Sequence, residues 1–207
     1  MPRACKIVVV PEDKEHAALA RGYLAARGVN PGSYRVTQKW TGKNGNFDRA
    51  REWFIEEVRL QARGKVRFGV VALIDEDGQG LAVRRQRVTD RLAVLNLPNL
   101  DPSQGRLLVL PVRNVETWMV WGARWVAAGQ PTSPATPAGF SAVDETHDYK
   151  RWRASDGQLL SHESRLDAFR LGRAIASLNS AAPPSGLPPA LEAILRPWGD
   201  FLDWARD

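Results

Sequence analysis

Residues 66–75 read VRFGVVALID, apolar almost throughout, without the apolar–polar alternation of a half-exposed strand. Such a run needs cover on both faces. That marks a central strand, and buried central strands belong to parallel sheets flanked by helices. The neighbouring segments agree. KIVVV (6–10) is a short β-branched run stopped by Pro11, SYRVTQKW (33–40) reads as a second strand, and RLLVLPV (106–112) as a fourth. Between them lie amphipathic helices. One contains Ala17, Ala20 and Leu24 and is closed by Gly28; another carries Phe47, Ala50, Phe54, Val58 and Ala62 in register and is closed by Gly64. LAVRRQRVTDRLAVL (81–95) and VETWMVWGARWVAAG (115–129) follow. Strand and helix alternate through residue 129, and right-handed crossovers then give a mainly parallel sheet with helices on both faces.

A proline-rich stretch, QPTSPATPAG (130–139), breaks the pattern. Helices are expected near 161–179 and 188–206. Residues 1–129 are therefore read as the α/β core, and 130–207 as a linker and helical extension packed on it. In 207 residues there is no apolar run of the ~20 residues that span a bilayer, so no membrane association is expected. The start, MPRACKIVVVPEDK, reads as a strand and not as a signal peptide. The single cysteine, Cys5, excludes an internal disulfide and a cysteine zinc cluster. Cytoplasmic residence follows as the expectation. The formal net charge is +6, carried mostly by arginine, which suits phosphate-bearing partners.

The acids are placed more selectively. Glu12 lies just beyond the first strand, and Asp75 and Asp77 close the third in the turn DEDGQG. Ligands of open parallel sheets collect at these carboxyl ends. Alternation in extended chain would aim Asp75 and Asp77 at one site and Glu76 elsewhere. Carboxylates gathered there need a proton or a cation, and oxygen-only donors suit magnesium or manganese. The bland alternative is a strand ending in a glycine turn. An EF-hand is excluded, because Gln79 and Gln86 occupy its fifth and twelfth positions. A phosphoacceptor receiver would carry a lysine after the fourth strand, where Arg113 stands. WTGKNGN (40–46) lacks the P-loop spacing, although Lys39 and Lys43 are placed to touch phosphate.

Glu116 is the one acid of a helix that is apolar nearly all round, in which Trp118, Trp121 and Trp125 read as core. It sits in a first turn, where the helix dipole favours it, and on the same side as the other acids. Arg84, Arg87 and Arg91 share a face of the preceding helix: a solvated face, or a stripe tracking a nucleic-acid backbone. His16, His147 and His162 are not spaced as a ligand set, although His16 can reach the site from the first helix.

VVVPEDKEHAAL, LIDEDGQG and LPVRNVETWMVWG together resemble a TOPRIM-like domain, in particular the small stand-alone bacterial TOPRIM-like proteins of unknown function. DYKR and RLDAFRLGRAIASL resemble their lysine-plus-helix ending, so the likeness runs loosely from residue 6 to 178. It implies a four-stranded TOPRIM/Rossmann-like sheet and a magnesium-dependent nuclease centre of the kind found in OLD-type nucleases. On this likeness Glu12 is general base or metal ligand, Asp75 and Asp77 bind metal, Glu116 matches the acid before the tryptophan, and Lys150 steadies phosphate charge. A partner ATPase and a role in anti-phage defence are implied with it. Asp13 stands where the family usually has glycine. That departure favours the alternative of a non-catalytic module binding metal-nucleotide, nucleic acid or a partner protein.

Overall fold

A computed structural model describes residues 6–37, 46–64, 67–113, 115–127, 164–178 and 187–206. Four strands, β1 (Ile7–Pro11), β2 (Tyr34–Val36), β3 (Gly69–Leu73) and β4 (Arg106–Val109), form one sheet in the order β2-β1-β3-β4. Every pairing is parallel, with Val9 opposite Val71 and Ala72 opposite Leu108. The α/β class expected from the sequence is the class observed. The helices are α1 (Lys14–Ala26), α2 (Phe47–Ala62), α3 (Leu81–Val94), α4 (Val115–Ala127), α5 (Ser164–Ser177) and α6 (Pro189–Arg206). Among the described residues no helix is long and apolar enough to cross a membrane.

Alternate residues of each strand feed two separate cores. Val8, Val10, Val70, Ala72 and Leu108 face α2 and α3, where Phe54, Ile55, Val58, Val88 and Leu92 meet them. Ile7, Val9, Val71, Leu73 and Val109 face the other layer, built by α1, α4, α5 and α6. The unbroken apolar run of β3 is explained by this double cover: all five of its residues are buried. Trp118 and Trp121 of α4 are fully buried in the second core, and Trp198 of α6 stacks on Tyr23 of α1 with ring centroids 3.9 Å apart.

The extension is locked to α1 at backbone distance. A Cβ built on Gly22 would lie 1.9 Å from the Phe169 carbonyl oxygen, and one on Gly172 only 2.0 Å from that of Leu19. Two glycines, one on each helix, let α1 and α5 approach more closely than side chains allow. Gly172→Ala should therefore push the helices apart and cost about 1–3 kcal/mol in urea unfolding. An unchanged midpoint would contradict this packing.

Candidate functional site

Chain order reverses between β1 and β3: β1 pairs with β2 on one side and β3 on the other. This is the switch point at which open α/β sheets present a crevice. Glu12 follows β1 there, and its backbone N–H continues the ladder to the Leu73 carbonyl at 2.9 Å. Its side chain turns toward β3, where Glu12 Oε2 accepts the backbone N–H of Asp75 at 2.9 Å. Both acids are buried. The two expected acids thus meet, on neighbouring strands.

Asp75 also gathers two helices. Its Oδ1 accepts the Val115 N–H that opens α4 at 2.8 Å, and faces His16 Nε2 of α1 at 3.0 Å. The other ring nitrogen, His16 Nδ1, lies 2.7 Å from Asp13 Oδ1. Asp13 is the N-cap of α1 and accepts the N–H groups of Glu15 and His16, each at 3.0 Å. With a carboxylate oxygen on each ring nitrogen, His16 donates twice and is an imidazolium. Burial alone would push its pKa down, but Asp13 and Asp75 outweigh this and hold it well above the usual 6.5. Burial pushes the Asp13 carboxyl up, but the His16 charge and hydrogen bonds hold it well below the usual range. Glu12 goes the other way. Burial, with the negative charges of Asp75 and Asp77 added, raises it from 4.5 to about 7 against the opposing pull of His16 and the Asp75 N–H.

Asp77 does not follow the strand alternation. The chain has left β3 at Leu73, and Asp77 takes a left-handed φ of 55° in the turn. Its exposed side chain points toward Arg84, with Oδ2 and Nη2 3.7 Å apart. The turn is built instead by Glu76, which is buried. Its Oε2 accepts Gly78 N–H at 2.8 Å and Arg113 N–H at 3.1 Å, and its Oε1 accepts the Gly80 N–H. Arg113 lies close over this turn; a Cβ on Gly78 would meet its Nη1 at 2.6 Å.

The arginine face of α3 is split. Arg84 is buried, its guanidinium stacked 3.9 Å from the Phe47 ring centre and its Nε donating to the Glu76 carbonyl at 2.9 Å. It braces the turn from inside. Arg87 and Arg91 are exposed, and Arg91 faces Glu52 at 3.4 Å. Glu116 is half-buried in the first turn of α4, one residue beyond the N–H that binds Asp75. Lys39, Lys43, Lys150, His147 and His162 lie outside the described residues, as does the 130–139 stretch.

Sequence reasoning gave Asp13, Glu76 and Arg113 no part in building the site, and of His16 it said only that it can reach it from the first helix. For Asp13 and His16 a signal existed: they are three apart across a helix start, the spacing of an N-cap side chain and a first-turn partner. Nothing in DEDG separates the acid that folds the turn from those that face outward.

Protein-family models, curated proteins and solved structures all return no match to this chain.

A hard divalent cation suits the charge of this rim. Among the described residues Glu12, Asp13 and Asp75 gather around the imidazolium of His16, and Glu12 is left with one hydrogen bond and a raised pKa. The donors are oxygens, as magnesium and manganese require. Among the described residues no three His, Cys, Asp or Glu side chains already converge on one point.

Two stability predictions follow from the buried charges. A glutamate whose folded pKa is raised gives its full stabilisation below its unfolded value and loses it as pH rises through 7. In metal-free buffer Glu12→Gln should therefore match the parent near pH 4.5 and exceed it on the order of 1–3 kcal/mol above pH 7. Thermal unfolding at both pH values checks the sign. His16→Leu should cost about 3 kcal/mol or more, because Asp13 and Asp75 lose their shared cation. The raised His16 pKa makes that loss largest below pH 6.5 and smaller as the imidazolium of the parent deprotonates at alkaline pH.

Proposed function

We propose that the chain is a magnesium-dependent phosphodiesterase acting on nucleic acid, with its centre at the Glu12–Asp75 rim. The observation that carries this is the junction of the two acids at the sheet's switch point, Asp75 N–H on Glu12 Oε2 at 2.9 Å. Glu12, Asp75 and Asp77 would hold the ion, with Glu116 on the same rim. A bound divalent ion supplies charge neutralisation for a phosphodiester and a more acidic water. The chain's own part is distinct. Glu12 would serve as ligand to that ion or as the base that takes a proton from water. Asp75, held by His16 and the start of α4, keeps its carboxylate in a fixed orientation. Arg113, exposed over the acidic turn, is placed for phosphate oxygens, and Arg87 and Arg91 offer positive charge along α3.

A second reading has an observation of its own. Asp75 Oδ1 already serves both His16 and Val115, so part of the acidic set is spent on structure. That favours a non-catalytic module that binds a metal-nucleotide or nucleic acid and works with a partner such as an ATPase.

Asp77→Asn separates the two, because Asp77 is exposed and its loss leaves the fold intact. The parent protein with magnesium or manganese should cut labelled DNA or RNA, and Asp77→Asn should lower the rate roughly a hundredfold or more. Cleavage by neither protein, together with retained nucleic-acid binding by the parent, would favour the module.

A further inference from the structure

The opposite end of the sheet holds a second feature. Where β3 and β4 begin, a cavity of about 580 Å3 is lined by Gln61, Arg67, Pro98, Gln104, Arg106 and Trp204 among others. Its floor is made by Trp204 of α6. The indole lies flat against the strand starts because Gly105 and Gly69 carry no side chain; a Cβ on Gly105 would sit 2.4 Å from the ring. Arg67 covers that ring, its guanidinium carbon 4.6 Å from the centre, and donates to the Trp204 carbonyl at 3.1 Å. Arg106 is pinned by neutral acceptors alone: Nε on the Asn99 carbonyl at 2.6 Å, and Nη1 on the Gln104 carbonyl at 3.1 Å and Gln61 Oε1 at 3.3 Å. Gln61 is itself fixed, its amide donating to the Phe68 carbonyl at 2.7 Å and that of Gly105 at 3.2 Å.

Among the described residues neither arginine has a carboxylate within ion-pair distance. Among those residues the ion pairs involve other side chains, and Arg106 uses Nε and Nη1 in its hydrogen bonds. Two permanent cations thus line one concave, part-apolar space with no carboxylate in contact, one of them held rigidly by two backbone carbonyls and one side-chain amide. Guanidinium pairs of this kind match an oxyanion with several acceptor oxygens, phosphate above all. Partial burial lowers the Arg106 pKa, against the opposing charge of Asp101.

We propose that this cavity is a binding site for a small phosphate-bearing ligand, its phosphate held between Arg67 and Arg106 and its organic part against Pro98 and the edge of Trp204. The site is independent of the acidic rim, which lies at the other end of the strands. Its test is calorimetric titration of the full chain, in metal-chelating buffer, with inorganic phosphate, AMP, adenosine and citrate. Saturable binding of AMP, competed by phosphate and absent for adenosine, is expected. Arg67 is exposed, so Arg67→Gln keeps the fold and should weaken AMP roughly tenfold or more, whereas Asp77→Asn should leave it unchanged. Citrate binding more tightly than phosphate would assign the pocket to carboxylates and overturn the phosphate class. No saturable AMP binding up to about 10 mM, or equal affinity in Arg67→Gln, would overturn the site itself.

Discussion

The carboxylate of Asp75 is the joint on which the architecture turns. It ties the end of β3 to α1 through His16 and to α4 through the Val115 N–H, while the backbone of the same residue reaches Glu12 beyond β1. Four elements from distant parts of the chain meet at one buried acid. A buried carboxylate is tolerable only when paired and hydrogen-bonded, and here the pairing is an imidazolium shared with Asp13. That relay holds Asp13 as a charged group and fixes the Asp75 carboxylate in place. Glu12, beside them with a single hydrogen bond, is left as the unstable member.

The position of His16 depends in turn on packing far from the rim. His16 rides on α1, and α1 is clasped by α5 through Gly22 and Gly172 and stacked on α6 through Tyr23 and Trp198. The helices after the linker region are therefore part of what aims the imidazole at Asp75. Burial of the strands' second face beneath α1, α4, α5 and α6 holds this layer in place, while α2 and α3 close the first face and carry Phe47 and Arg84 to the acidic turn. Each end of the sheet thus has its own chemistry: acids at the carboxyl ends, the guanidinium groups of Arg67 and Arg106 at the amino ends.

Much of the fold was legible because periodicity reports burial directly. The unalternating run before Asp75 demanded a doubly covered strand, and β3 is one. Glu12 and Asp75 were also legible, since strand ends in a parallel sheet converge by topology. What the sequence hid were the local reversals. Alternation predicted that Asp77 shares the direction of Asp75, but the chain bends into a left-handed turn first. Helical spacing put Arg84 on one face with Arg87 and Arg91, yet the aromatic ring of Phe47 and the Glu76 carbonyl draw Arg84 inward. The service of Glu76 to three backbone N–H groups, and of His16 to two carboxylates, depends on contacts between residues that spacing alone does not relate.

The most direct test of the acidic rim as a cation site is a manganese titration followed by electron paramagnetic resonance on the purified chain. The account predicts one saturable ion, displaced by magnesium and lost in Asp75→Asn whenever that variant remains folded by circular dichroism. A parent protein that leaves the free manganese signal unreduced, or a folded Asp75→Asn that binds the ion as well as the parent, would contradict it.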